Sequence, residues 1–370
     1  MEPFVPAKLP IQDVQWEALI PLIGRANRAI AHFDGVLYGV PNPELLLSPM
    51  TTQEAVLSSK IEGTQATLGE VLRFEAGELF VQEERRQDIQ EIINYRRALR
   101  EAEKHLESRP FTLNLLLCLH DILLSSVRGR DKARGQFRKH QNWIGSHDTP
   151  IGRAAFVPPP PLLVPELMDN WEKYYHTDRP DPLVQLAVLH AQFEIIHPFL
   201  DGNGRLGRII VPLFLFEKKL LSRPMFYLSG WLEERRDDYV THLRDLGRSE
   251  RAWNRWIEFF LTGVEEQARL NAETARAVMG LYGELKKKVL NLTHSQYAVP
   301  MLDQIFARPI FQSTSLNFGP ATPTRPAIAT LLRTLRDAKI LKVIHEGSGR
   351  RPATYALAEL VNLCEGRNVL

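Results

Sequence analysis

The sequence predicts a mainly α-helical protein: a helical core carrying one small β-hairpin, a helical region before it, and a winged helix-turn-helix after it. Three observations lead there. Most of the chain carries apolar residues at i, i+3 and i+4, the period of a helix with one buried face. One stretch, around QNWIG and AAFVP, reads instead as two short strands about a Gly/Ser/Asp/Pro turn. The final segment passes from helical patterns into a basic hairpin.

A chain of 370 residues can hold two or three domains with sizeable cores. The composition shifts divide it into a helical region 1–107, a core with a long linker helix 108–292, and a distinct segment 293–370. A net charge of +2 supplies no general attraction to nucleic acid or membrane. Cys118 and Cys364 lie in helix-like apolar runs, which argues against a disulfide framework and fits a reducing compartment. No apolar run is long enough to span a bilayer, and MEPFVPAKLP lacks the basic-then-apolar order of a signal peptide. The expected location is the cytoplasm, with no membrane partner.

After a proline-rich arm, VQWEALIPLIGRANRAIAHFDG reads as a helix stopped by its last glycine. TTQEAVLSSKIEG follows Pro49-Met50 as the start of another, and residues 89–107 form an amphipathic helix with acid–base pairs at helical spacing. FTLNLLLCLHDILLSSV is apolar enough to be central. The candidate hairpin follows, then a helix at PELMDNWEKYYH. DPLVQLAVLHAQFEIIHPF has an Asp-Pro start and an end at Pro198. RLGRIIVPLFLFEKKL, GWLEERRDDYVTHLRDL and a long polar helix from RAWNRW close the core.

Between two of these helices lies HPFLDGNGRLGR, residues 197–208. Pro198 marks a turn. Gly202 and Gly204 permit positive φ, so loop N–H groups can converge on an anion, and the next helix adds its N-terminal N–H groups and dipole. Arg205 and Arg208, three apart, share the first-turn face as two guanidinium clamps. Asp201 beside such a phosphate cradle calls for a cation between, with Mg²⁺ the usual choice. His197 stands at the other end of the loop as a general base. Gly202-x-Gly204-x-x-Gly207 also spells the dinucleotide fingerprint, but a helix rather than a strand precedes it. No GK[ST] follows, as a Walker loop needs, and His190 with His197 lacks zincin spacing, which leaves His190 a core histidine. A plain polar turn would need only one glycine.

The twelve residues resemble the Fic family signature HxFx[DE]GNGRxxR at every fixed position. The resemblance implies a protein adenylyltransferase that moves AMP from ATP to a Ser, Thr or Tyr hydroxyl and releases pyrophosphate. His197 would deprotonate the hydroxyl and Asp201 would hold Mg²⁺. Asn203 and the Gly202–Gly204 loop would bind the α-phosphate, Arg205 the β-phosphate and Arg208 the γ-phosphate. Phe199 resembles the family's buried aromatic. The hairpin 142–158 resembles the flap that lays the target protein beside the motif. Trp231 and Tyr239 fall where the family lines its adenine pocket; each reads equally well as a core aromatic. Family members also transfer UMP, a phosphate or phosphocholine, or remove AMP; Gly204 argues against the kinase-like branch, which has Lys there. Upstream, Ser58-Ser59-Lys60-Ile61-Glu62-Gly63 resembles the inhibitory pattern [ST]xxxE[GN]: Ser58 and Glu62 share a helical face and Gly63 can end the helix. The alternative is an ordinary solvated helix end.

Residues 293–370 hold nine Lys/Arg against five Asp/Glu. Two helices and a hairpin about Gly-Ser-Gly resemble a winged helix, whose Arg325, Arg333, Arg336, Arg350 and Arg351 suit DNA phosphates. A protein-docking or dimerisation module, giving a homodimer, fits the same residues. A DNA-binding regulator whose Fic core senses nucleotide is the alternative to the enzyme, and the intact His197 favours the enzyme.

Overall fold

The structure, a computed structural model, describes residues 2–78, 82–125, 132–145, 154–247, 252–318, 322–349 and 351–370. Its helices run in the order α1 (Trp16–Tyr38), α2 (Pro43–Leu46), α3 (Ser48–Ile61), α4 (Leu68–Glu75), α5 (Glu83–Leu106), α6 (Leu113–Leu123), α7 (Val164–His176) and α8 (Pro182–Ile196). They continue as α9 (Asn203–Glu217), α10 (Ser229–Glu234), α11 (Arg236–Leu246), α12 (Ala252–Thr293), α13 (Ala298–Ala307), α14 (Arg325–Asp337) and α15 (Ala358–Glu365). Three short strands, β1 (Ile310–Gln312), β2 (Lys342–His345) and β3 (Thr354–Ala356), complete a mainly helical fold. Contacts divide the chain into two compact units. One comprises Met1–Asp34, Leu57–Thr64 and Asn94–Arg269; the other comprises Gly35–Val56, Gln65–Ile93 and Leu270–Leu370.

In the first unit α8 is the centre. Every residue from Leu183 to Ile196 is buried, as a helix apolar on all sides must be. Asp181 starts it: Oδ1 accepts the N–H groups of Leu183 and Val184 at 2.9 Å each, and Pro182 takes the first helical position. Its Oδ2 accepts from Asn27 at 2.8 Å. Helices α7, α9 and α11 pack on α8. Two buried tryptophans place their N–H groups on its carbonyls, Trp171 on Leu189 at 2.8 Å and Trp256 on Ala187 at 2.7 Å.

Three expectations are corrected here. Gly35 does not stop α1, which runs on to Tyr38; a glycine costs an exposed helix about 1 kcal/mol but does not by itself end it. GWLEERRDDYVTHLRDL is two helices, broken at Arg235 (φ −117°, ψ 34°), whose guanidinium lies 4.6 Å from the Trp231 ring centre. The hairpin 142–158 is reduced, among the described residues, to one antiparallel bridge between Ile144 and Phe156; its tip, 146–153, lies outside them.

In the second unit the strands form an antiparallel sheet in the order β1-β3-β2, with Ala356 opposite both Ile310 and Lys342. Helix α14 buries Ile328, Leu331, Leu332 and Leu335, and α15 buries Leu360, Val361 and Cys364. Helix α13, strand β1, helix α14 and the β2–β3 hairpin follow one another, where the sequence led us to expect two helices and a hairpin. Between β1 and α14, however, the described residues hold no helix, so α14 has no partner helix across a short turn. Arg325, Arg333 and Arg351 are exposed, Arg336 pairs with Asp337 at 2.8 Å, and Arg350 lies outside the described residues. No described helix is long and apolar enough to cross a membrane.

Because Asp181 caps the central helix twice, Asp181→Ala should cost about 1–2 kcal/mol. Urea unfolding measures it; a midpoint equal to the parent's would mean the cap does not hold α8.

Candidate active site

The motif loop is built from the inside. Helix α8 stops at Ile196 because His197 turns left-handed (φ 49°, ψ 60°) before Pro198. Phe199 is fully buried and stacks on His120 with ring centres 3.9 Å apart. His120 Nδ1 accepts the Gly135 N–H at 2.9 Å, so its Nε2 carries the proton and donates to the Asp201 carbonyl at 3.1 Å. Asn203 closes the loop: its Oδ1 accepts the Phe199 N–H and its Nδ2 donates to the Phe199 carbonyl, both at 2.9 Å. The amide expected at a phosphate thus holds the loop's own backbone.

The two glycines differ in role. Gly202 has φ 80° and caps α9. Gly204 does not take positive φ, contrary to expectation; it is helical. Its missing side chain serves close approach, since a Cβ there would collide with Glu62 Oε1 and lie 2.9 Å from Arg208 Nη1. Gly207 makes room in the same way for Glu194 Oε1.

The arginines also part company. Arg205 Nη2 lies 3.2 Å from Asp201 Oδ1. Arg208, with its side chain 1% exposed, donates Nε to Ser58 Oγ at 2.8 Å, and Nη2 to Ser58 O at 2.8 Å and to Glu62 Oε1 at 2.6 Å. Ser58 lies in the last turns of α3; Glu62 follows its end, where Gly63 takes φ 104°. Arg236 Nε donates to the Ile61 carbonyl at 3.0 Å and Lys60 pairs with Glu233 at 2.7 Å, which fix this helix end. Although 39% of the Glu62 side chain is exposed, the protein packed around its carboxyl would by itself raise it; the charge and hydrogen bond of Arg208 outweigh that and hold the group below the ordinary carboxylate range. Arg208 is buried, yet the Glu62 carboxylate holds it above its usual value.

Glu194, three residues before His197, is the carboxyl that the sequence analysis did not single out. Burial pushes it up to about 8 despite Arg208, and its Oε1 has no hydrogen-bond partner. The signal was present as the lone acid after Asp181 in a mostly apolar run. His197 Nδ1 lies 3.2 Å from the Glu194 carbonyl, which can only accept; Nδ1 therefore holds the proton and Nε2 keeps the lone pair. Burial lowers this imidazole to about 4, so it is neutral near pH 7. His190 donates Nδ1–H to the Gly207 carbonyl at 3.1 Å and accepts the Tyr239 hydroxyl at 2.9 Å; burial lowers it to about 3.

A cavity of about 200 Å³ opens beside these groups, lined among others by His197, Glu62, Arg208, Tyr239, Ile144 and Phe156. Trp231 is not among its lining residues: its indole N–H donates to Glu266 at 2.6 Å and its ring packs on Phe259 and over Gly263. A larger open groove of about 880 Å³, between Arg336 and Asn368 in the second unit, contains no motif residue.

Asp201 is the candidate metal ligand. Its side chain is 41% exposed, and Oδ1 accepts the Gly202 N–H at 2.6 Å besides Arg205. A single oxygen donor of this kind fits Mg²⁺ that arrives with phosphate oxygens and water, the usual mode for that ion. No group of three or more His, Cys, Asp or Glu able to hold a metal alone lies among the described residues. A neutral imidazole, a buried guanidinium and a helix N-terminus around one cavity can hold an anionic ligand and take up a proton beside it.

The raised Glu194 carboxyl sets a pH signature. It is protonated in the folded chain up to about 8 and ionises near 4.5 when unfolded, so its contribution to stability is full below 4.5 and lost as pH rises to 8. Glu194→Gln should therefore gain thermal stability over the parent progressively between those limits. A constant difference in melting temperature from pH 5 to 8 would contradict a protonated Glu194.

Residues 20–104 match the family described as Fic/DOC family N-terminal, and residues 110–215 match the Fic/DOC family itself. A Fic family protein from Desulfovibrio desulfuricans G20 shares the fold with TM-score 0.59 and 21% identity, covering 94% of this chain and 98% of that one. A Fic domain containing signaling protein from Bacteroides thetaiotaomicron gives TM-score 0.54 at 17% identity, covering 68% of this chain and 97% of that one. Among curated relatives, "Probable protein adenylyltransferase aq_aa38" of Aquifex aeolicus is 29% identical over 209 residues, 55% of this chain and 57% of the relative. "Protein adenylyltransferase Fic" of Drosophila ananassae is 27% identical over 159 residues, 42% of this chain and 30% of the relative. The chain thus spans about half or less of the length of these two curated relatives. The two family matches together run over more than half of the sequence, and the chain belongs to the Fic/DOC family.

Proposed function

We propose that the chain is an autoinhibited protein adenylyltransferase, moving AMP from ATP to a Ser, Thr or Tyr hydroxyl of a target protein and of itself. The observation that carries this reading is the buried Arg208 guanidinium, bonded to Glu62 and Ser58 in the place where an anionic ligand would need it. The names of the curated relatives support AMP transfer as the reaction.

In this reading the target hydroxyl oxygen attacks the α-phosphorus. The bond from that phosphorus to the bridging oxygen breaks, and pyrophosphate leaves with the electron pair. The hydroxyl proton goes to His197 Nε2, the unprotonated nitrogen of a neutral ring. The N-terminus of α9 and Arg208 hold phosphate oxygens. Mg²⁺ held by Asp201 would offset phosphate charge when bound. Tyr239, with Ile144 and Phe156, lines the cavity in which the base would lie. The target segment adds as a strand beside Ile144. Glu62 blocks the reaction because a carboxylate on Arg208 excludes the terminal phosphate, and in-line attack tolerates little displacement.

A charged hydrogen bond of about 1.5–3 kcal/mol holding Arg208 closed predicts a gain of about 10- to 100-fold in self-modification for Glu62→Gly. Adding Arg208→Ala should cancel the gain, and adding His197→Ala should abolish transfer. Incorporation of label from α-labelled ATP measures all three. Equal rates for the parent and Glu62→Gly would return Glu62 to an ordinary helix end.

A further inference from the structure

Arg138 takes no part in the reading above, yet it is a buried cation with 2% of its surface exposed. No carboxylate is hydrogen-bonded to it among the described residues. Its donors go to carbonyls: Nε to His197 at 2.8 Å, Nη2 to Ile196 at 3.3 Å and to Pro159 at 2.6 Å, with Nη1 at 3.5 Å from His140. Its own backbone N–H donates to the Pro198 carbonyl at 2.9 Å. One residue thus holds the carbonyls of Ile196, His197 and Pro198 in succession.

Those carbonyls need a partner. The last carbonyls of a helix have no intrahelical donors, and the negative end of its dipole favours a cation. His197 is also a non-glycine residue in the left-handed region, which costs about 1–2 kcal/mol and persists only where surroundings enforce it. A guanidinium can bridge several carbonyls in one plane; a lysine ammonium cannot reproduce that fork. The Pro159 carbonyl lies just beyond the Phe156 side of the flap bridge, and Asn142, on the other side, donates to the Phe199 carbonyl at 2.9 Å.

We propose that Arg138 is a positioning residue: by bridging the carbonyls of Ile196 and His197 to that of Pro159, it sets the direction of the His197 imidazole and the place of the flap strand beside it. The inference rests on the adenylyltransferase reading for its effect on rate, but not for its effect on the histidine. Arg138 touches neither Arg208 nor the N-terminus of α9, so nucleotide binding should be left nearly intact.

The test uses the full chain in the Glu62→Gly background, with Arg138→Lys as the variant. Self-modification should fall about 10- to 100-fold in kcat, the size of effect expected from misplaced reacting groups, while the dissociation constant for ATP changes less than about threefold. ¹⁵N-histidine spectra should show His197 as one Nδ1-protonated tautomer in the parent and a mixture in the variant. An unchanged kcat with an unchanged tautomer overturns the proposal. So does a loss of ATP affinity matching the loss of rate. If Arg138→Lys does not fold, Arg138→Met, which leaves no buried charge unpaired, takes its place. Failure of both to fold would make Arg138 a stability residue and overturn the proposal as well. Should the Glu62→Gly parent transfer no AMP, the adenylyltransferase reading fails, and the tautomer comparison still decides the role of Arg138.

Discussion

A guanidinium with 1% of its side chain exposed cannot remain without an anion or a set of acceptors. The site is organised around that constraint at Arg208. Ser58 supplies two oxygens and Glu62 the compensating charge, and both come from the end of α3. Gly204 lacks a side chain where Glu62 lies, and Gly207 lacks one where Glu194 lies. With one carboxylate already paired to Arg208, burial leaves Glu194 neutral into the alkaline range. Tyr239 and His190 then form a neutral link from α11 to the Gly207 carbonyl. The cation belongs to the fold as much as to the site, and any ligand that takes it must displace a partner of comparable strength.

The loop before it solves a separate problem, that of turning sharply out of a buried helix without orphaned backbone groups. His197 turns left-handed, Arg138 caps the carbonyls behind it, and the Asn203 amide closes a ring on Phe199. Phe199 in turn is pinned by the His120 ring. These contacts fix a histidine whose inward nitrogen is protonated by its bond to a carbonyl and whose other nitrogen is free to accept. The protonation state follows from the carbonyl of Glu194, and the loop contacts hold the ring against it.

Much of this was legible in the residues. Periodicity located α8 and α9, the Asp-Pro pair located the start of α8, and the spacing within HPFLDGNGRLGR marked a loop between two helices. The less legible features are those decided by partners far along the chain. Gly204 looks like a turn residue in a glycine-rich motif; only the position of Glu62, 142 residues earlier, shows that its role is to leave space. Asn203 carries the same amide whether it binds a phosphate or the Phe199 peptide. Arg138 lies in a stretch without periodicity, so nothing local announces that it is buried. Trp231 and Tyr239 stand eight apart on what reads as one helix, and the break at Arg235 separates their surroundings. Helix periodicity reports which face is buried, not which partner meets it.

The central claim is that Glu62 and the terminal phosphate compete for one guanidinium. Calorimetric titration of ATP and AMP into the parent chain and into Glu62→Gly separates this from a general opening of the cavity, because AMP has no phosphate that reaches Arg208. The account predicts that the substitution tightens ATP by about tenfold or more and leaves AMP within about twofold. An equal change for both nucleotides, or none for ATP, would contradict it.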